Sequence, residues 1–344
     1  MIRALSLIAV LALTSLSLRA QQGAPPDPQM NAVLDELASL GGKPIETLSP
    51  EEARKQPTPA DAVMKLMKKQ DKKGPEPVGD VDNTSLKVGD HSVKVRVYSP
   101  KGDGPFPVIL YIHGGGWVIA DLDTYDSTPR ALCNAVGAIV VSTHYRQAPE
   151  HKFPAAHEDV FAVYQAVVKN EWKRNYDAGK VAVVGESAGG NMALAVSMMA
   201  KEKGAPLPKA QVLVYPVADL TKTDRPSQIE NAEAKPLNMA MMAWFGKHTL
   251  VSPDDAKKPH LSHLLAAPEM HKGMPPTTII LAQIDPLRSE GEELAKALQA
   301  AGVKVNLKSY DGVTHEFFGM SAVVDKAKDA ISVAAADLKA ALGN

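Results

Sequence analysis

The chain has 344 residues, 45% of them hydrophobic, and 38 basic residues stand against 39 acidic ones. That length and apolar fraction suffice for one large α/β domain or two small ones, and so even a charge balance argues against a general nucleic-acid or anionic-membrane binder. A single cysteine, Cys133, excludes an internal disulfide framework and a cysteine-rich zinc site.

At the start, Arg3 precedes an apolar run from Ala4 to Leu18 that Ala20 closes, the layout of an export signal over residues 1–20 cleaved after Ala20. The run is short for a membrane span of roughly twenty residues, which leaves an uncleaved anchor as the competing reading. The expected location is therefore periplasmic or secreted, with no stable membrane association after cleavage.

Residues 21–80 are rich in Pro, Lys and Glu, with helical patches at Pro28–Leu40 and Pro59–Lys69. Val33, Leu34, Leu37 and Leu40 share one helical face, and Val63, Met64, Leu66 and Met67 cluster on the other patch. Each patch has an apolar face to bury, which predicts helices docked as a cap over a site rather than a free linker.

The remainder, 81–344, opens with a hairpin, Thr84–Val88 and Ser92–Tyr98, in which Val93, Val95 and Val97 alternate with Lys94 and Arg96. Alternation means one wet face and so antiparallel strands. Alternation is then lost in runs at Pro107–Ile112, Ala138–Thr143, Lys180–Val184, Ala210–Tyr215, Thr277–Ala282 and Val303–Tyr310. Helical patterns separate them at Thr128–Val136, Ala155–Lys169, Ala188–Lys203, Glu290–Ala301 and Ala322–Leu342. The expected fold is α/β, with a mostly parallel central sheet covered by helices on both faces and ligands at the carboxyl ends of the strands. One segment, about 219–260, breaks the rhythm and carries Met239, Met241, Met242, Trp244 and Phe245. It reads as a helical insertion whose side chains serve the core and also line a pocket.

The chemistry centres on Val181-Ala182-Val183-Val184-Gly185-Glu186-Ser187-Ala188-Gly189. A buried strand, a tight Gly-x-Ser-x-Gly turn and a helix in succession form a nucleophile elbow, with Ser187 exposed at the strand end. Glycine is needed on both sides because the backbone passes too close to its neighbours for a Cβ. A serine hydroxyl needs a base, and the base needs a group to hold its tautomer. In strand order these should follow the serine as acid and then histidine, each past a strand. Asp285 and His315 meet that order, with Glu316, Asp311 and Glu290 as competing acids. Upstream, His113-Gly114-Gly115-Gly116-Trp117 follows the first core strand and offers unshielded backbone N–H groups for a developing negative charge. His260-x-x-His263 lacks a third metal ligand nearby, and no phosphate loop or dinucleotide fingerprint appears.

Taken with Tyr145-Arg146-Gln147-Ala148-Pro149-Glu150-His151-Lys152-Phe153-Pro154 and Asp285-Pro286-Leu287-Arg288, these motifs resemble the hormone-sensitive-lipase-like (bacterial family IV) esterases of the α/β-hydrolase superfamily. The likeness spans roughly residues 80–340. It implies an α/β-hydrolase fold with a helical cap and a serine carboxylesterase acting on short- to medium-chain acyl esters. It also implies Ser187 as nucleophile, His315 as base, Asp285 as its orienter and the N–H groups of Gly114, Gly115 and Ala188 as the oxyanion hole. Trp117, Met241, Met242 and Phe245 are the candidate acyl-pocket residues. No cofactor and no metal is implied, the expected partner is a small-molecule ester, and the last helix leaves a homodimer open. Glu186, Gln147 and Ser289 depart from the usual family pattern, and none of them belongs to the triad. A peptidase or amidase and a non-catalytic receptor on the same fold are the alternative readings.

Overall fold

The computed structural model describes residues 23–343, so the expected signal segment lies outside the described residues. Eight strands form one sheet in the order β1-β2-β4-β3-β5-β6-β7-β8. They are β1 (Asp80–Val88), β2 (His91–Ser99), β3 (Phe106–Ile112), β4 (Ile139–His144), β5 (Tyr176–Glu186), β6 (Gln211–Val214), β7 (Thr277–Ile284) and β8 (Val305–Thr314). The β1–β2 and β2–β4 pairings are antiparallel and the other five are parallel. The hairpin register, Val88 opposite His91, turns through Gly89-Asp90.

The longer helices are α1 (Pro28–Ser39), α2 (Pro59–Lys69), α3 (Ser127–Val136), α4 (Ala155–Lys169), α5 (Ala188–Glu202), α6 (Met239–Thr249), α7 (Arg288–Ala300) and α8 (Asp325–Leu342). Successive side chains of a strand point to opposite faces, and β3 shows the result. Val108, Leu110 and Ile112 join a core with α4, α5 and α7, whereas Ile109 and Tyr111 join a second core with α3 and α8. Both faces are thus dry, which is why these strands read as unbroken apolar runs.

Two strands outrun their sequence-predicted limits. β5 begins at Tyr176 because Phe106 pairs with Tyr176 across a bulge. β8 continues past Asp311-Gly312 to Thr314 because Ile284 pairs with Thr314 beyond a second irregularity. Asp and Gly read as a turn in one dimension, but a partner strand supplies ladder bonds that override that tendency.

The N-terminal segment is docked. Pro28 and the Asp27 side chain, which accepts from the Met30 N–H at 2.8 Å, start α1, and Met30, Val33, Ala62, Val63 and Met67 complete the second core. Between α1 and α2, a one-turn helix at Pro50–Ala53 reaches the other core. There Trp244 donates to the Leu48 carbonyl at 3.0 Å. Arg54 donates to the carbonyls of Val118 and Ala148, both at 2.8 Å, and is held by Glu150 at 2.7 Å. Among the described residues no helix is long and apolar enough to cross a membrane.

Candidate active site

Five strand ends converge on one spot, because a parallel sheet delivers all its carboxyl ends to one edge. Ser187 follows β5, Tyr215 follows β6, Asp285 follows β7, His315 follows β8 and Gly114 lies just past β3. Ser187 takes φ 57° and ψ −119°, a conformation that costs an L-residue on the order of 1–3 kcal/mol. The surroundings enforce it. Its N–H donates to the Val214 carbonyl at 2.9 Å, and its carbonyl accepts from Asn191 at 3.0 Å. A Cβ on Gly185 would stand 2.1 Å from the Gly189 carbonyl oxygen, and one on Gly189 would stand 2.0 Å from that of Ile112. Neither position admits a side chain, so the turn cannot relax outward.

Ser187 Oγ lies 2.9 Å from His315 Nε2, and His315 Nδ1 lies 2.6 Å from Asp285 Oδ2. Asp285 is fully buried, and its other oxygen accepts from the Leu287 N–H at 2.8 Å. A carboxylate only accepts, so His315 carries its neutral-state proton on Nδ1 and presents Nε2 as the acceptor facing Ser187. Burial works against a charged imidazole here. The Asp285 carboxylate and its hydrogen bond, followed by Glu316 and Glu186, outweigh burial and hold the His315 pKa above its ordinary value of 6.5. The competing acids sit elsewhere: Asp311 is exposed, Glu290 accepts from the Ala218 N–H at 3.3 Å, and Glu316 lies 3.9 Å from Nε2 rather than at Nδ1.

The glycine run is shaped by its neighbours. Gly115 and Gly116 take φ 95° and 56°, values that favour glycine. A Cβ on Gly114 would stand 3.2 Å from that of Ser187, so this backbone passes directly beside the Ser187 side chain. Among the described residues none accepts a hydrogen bond from the N–H of Gly114, Gly115 or Ala188. Ala188 opens α5, whose positive dipole end therefore faces the same spot. The Gly114 carbonyl is turned away, accepting from Tyr145 Oη at 2.9 Å and from His113 Nδ1 at 2.8 Å. His113 is fully buried; burial, with His144 beside it, pushes its pKa down to about 3 and keeps it neutral. Its Nε2 then accepts from His144 Nδ1 at 3.2 Å.

The candidate pocket residues take different places. Phe245 packs on the glycine turn, where a Cβ on Gly116 would stand 2.2 Å from its ring. Met241 and Met242 are half-buried on the same helix, α6. Trp117 is 3% exposed and stacks on His157 at 6.3 Å between ring centroids. His263 is turned to the carbonyls of Pro259 and Asn191, at 2.9 Å each, away from His260.

Sequence reasoning missed a buried polar group beside Ser187. Glu186 is fully buried and accepts from Tyr111 Oη at 2.5 Å and from Tyr215 Oη. Burial, then the nearby Glu316 charge, raises its pKa to about 7 despite those hydrogen bonds. The Tyr215 ring lies 4.4 Å from that of His315. The only sequence signal was glutamate beside the nucleophile; the tyrosines come from 75 positions upstream and 29 downstream.

Comparison with known proteins gives this constellation its family. Residues 109–319 match the profile of the α/β-hydrolase fold. The carboxylic ester hydrolase LipN of Mycobacterium tuberculosis is 38% identical over 259 residues, which cover 72% of this chain and 66% of LipN. The ethyl acetate hydrolase of Pseudomonas putida is 31% identical over 312 residues, 89% of this chain and 95% of that one. Among solved structures, the thermostable esterase of Pseudomonas putida ECU1011 superposes with a TM-score of 0.83 at 33% identity, covering 93% of this chain and 99% of that one. An esterase of Pyrobaculum calidifontis gives a TM-score of 0.79 at 36% identity over 86% of this chain and 94% of its own. The chain belongs to the α/β-hydrolase fold family, within its hormone-sensitive-lipase-like group of serine carboxylesterases.

Proposed function

We propose that this carboxylic ester hydrolase works through an acyl-enzyme on Ser187, with His315 as base and Asp285 as its orienter, on esters of short- to medium-chain acids. The observation that carries the reading is the chain of two hydrogen bonds, 2.9 Å from Ser187 Oγ to His315 Nε2 and 2.6 Å from His315 Nδ1 to Asp285 Oδ2. Ser187 Oγ attacks the ester carbonyl while Nε2 takes its proton. The oxyanion is met by the N–H groups of Gly114, Gly115 and Ala188, and the alcohol departs with the proton from Nε2. Water then attacks the acyl-enzyme by the same route, and the acid leaves as Ser187 recovers its proton.

The preference for small acyl groups is supported by the cover over the site: Ser187 is 6% exposed, and Phe245 is packed on the glycine turn. Met241 and Met242 on the same helix complete the proposed acyl wall, while the stacking of Trp117 on His157 supports a framing role for that ring. The docked N-terminal helices and the 219–260 insertion act, in this reading, as the cap.

Initial rates on p-nitrophenyl esters from two to sixteen carbons test the proposal. Rates should peak at short chains and fall steeply among the longest. In the same assay kcat/KM should fall as pH drops, because only neutral His315 accepts the serine proton. Its pKa is raised, so the half-maximum should lie above pH 6.5. A profile flat from pH 5 to 8 would remove His315 as the base. Export is proposed on residues 1–20 alone, and N-terminal sequencing of the protein recovered outside the cytoplasm should begin at Gln21; a chain beginning at Met1 would favour the anchor.

A further inference from the structure

Glu316 follows the proposed base directly, and its backbone takes φ 71° and ψ 0°. That is the left-handed region, which a glycine would occupy freely and a glutamate does not favour. Such outliers gather at functional sites when the surroundings over-determine them. Here the side chain is what the surroundings hold. Oε1 accepts from Tyr125 Oη at 2.6 Å and lies 3.9 Å from His315 Nε2. Asp285 contacts the same ring at Nδ1, 2.6 Å away. The imidazole is therefore bracketed by two carboxylates, one at each nitrogen.

We propose that Glu316 is a positioning residue for proton transfer: its carboxylate stabilises the His315 imidazolium from the Nε2 side and anchors the Tyr125 hydroxyl against the oxyanion turn. The proposal rests on the triad reading above. Tyr125 supplies the second half of the argument, since a Cβ on Gly114 would stand 2.4 Å from its hydroxyl. One hydrogen bond thus sets both the carboxylate beside the base and the hydroxyl behind the glycine backbone. A glutamine would preserve that bond through its own carbonyl oxygen, so what glutamate adds is charge. The charge matters when Nε2 holds the proton between Ser187, the leaving alcohol and the incoming water, because the imidazolium nitrogen then lies 3.9 Å from Oε1 in a site with little screening.

Every element packed around the ring contributes a group to this field. Asp285 faces it past β7, Glu186 and Ser187 from the end of β5, Tyr215 from the end of β6 and Glu316 from the end of β8, with Tyr125 beyond Glu316. Burial raises the Glu316 pKa, and the adjacent His315 and the Tyr125 hydrogen bond oppose that rise. Glu186 has both oxygens engaged by tyrosines. Glu316 is the one of the two that reaches Nε2, and its side chain remains 22% exposed.

The test is the pH dependence of kcat and kcat/KM on p-nitrophenyl butyrate, read at the isosbestic wavelength of p-nitrophenol. Wild type, Glu316→Gln, Glu316→Gly and Ser187→Ala are compared as purified full-length proteins, each with its melting temperature. Glu316→Gln should melt with the wild type and keep KM within about twofold, yet lose about 5- to 30-fold in kcat and shift its acid limb down by about half a pH unit or more. Glu316→Gly should show the same shift, with a melting temperature set by two opposed effects, relief of the left-handed backbone and loss of the Tyr125 hydrogen bond. An acid limb and kcat in Glu316→Gln that superimpose on the wild type overturn the proposal. So does a loss of rate with an unmoved limb, which would mark Glu316 as merely structural. Activity retained in Ser187→Ala would instead remove the triad reading, and this proposal with it; an inactive Ser187→Ala beside an unaltered Glu316→Gln removes only the role of Glu316.

Discussion

Replacing Ser187 with alanine is expected to lower kcat on a short-chain p-nitrophenyl ester by roughly 10⁴- to 10⁶-fold while leaving the fold intact. The hydroxyl is the only group lost, and among the described residues no other hydroxyl or thiol is hydrogen-bonded to His315 Nε2. The strained elbow is set by the flanking glycines and by backbone bonds to Val214 and Asn191, none of which involves the hydroxyl. Stability should therefore change by no more than about 1 kcal/mol. What activity remains would come from the oxyanion hole and substrate positioning alone. Two measurements check this together: the initial rate, and the mass of the protein after treatment with an organophosphorus ester. Wild type should gain one phosphoryl adduct on Ser187 and the alanine variant none. A variant that keeps more than a hundredth of the rate would mean that another group performs the attack.

The second large effect is expected from Asp285→Asn, at about 10⁴-fold in kcat. The geometry dictates how the amide must sit. Oδ1 accepts from the Leu287 N–H at 2.8 Å, so the amide oxygen has to keep that place and its NH₂ has to face His315 Nδ1. Nδ1 then becomes an acceptor, the ring proton moves to Nε2, and the imidazole confronts Ser187 with a donor instead of a lone pair. The substitution is nearly isosteric in a fully buried site, so the loss should appear in kcat with KM little altered. The imidazolium also loses its principal counter-charge, which moves the acid limb of any residual activity to lower pH. Kinetics from pH 5 to 9 with a parallel thermal melt would decide the point. A loss under tenfold would take the orienting role away from Asp285 and turn attention to Glu290 or Glu316.

These two substitutions concern residues that were legible in one dimension, and the reason is local. A nucleophile elbow is a property of nine consecutive residues: β-branched side chains that want a buried strand, glycines where a Cβ would strike backbone within 2.1 Å, and a helix that begins at once. The order of Asp285 and His315 follows from strand succession, because each parallel strand brings its next residues to the same edge. Loss of alternation after Tyr98 likewise announced strands buried on both faces, and β3 divides its side chains between two cores accordingly.

Other features depended on partners that no local pattern names. Asp311-Gly312 looked like the end of a strand until β7 paired beyond it and carried β8 up to Thr314. Arg54 reads as an ordinary surface cation, yet it meets the Val118 carbonyl 64 positions away. Glu316 reads as a spare acid next to a histidine; only the assembled tertiary structure sets it against Tyr125, 191 positions back. By itself, then, the sequence determined the class of fold, the elbow that carries Ser187 and the strand-end placement of Asp285 and His315, since these rest on backbone sterics and side-chain periodicity within short windows. The tertiary structure alone decided which carboxylate meets which nitrogen and how far burial shifts each proton, because desolvation and charge proximity exist only once distant segments have excluded water together.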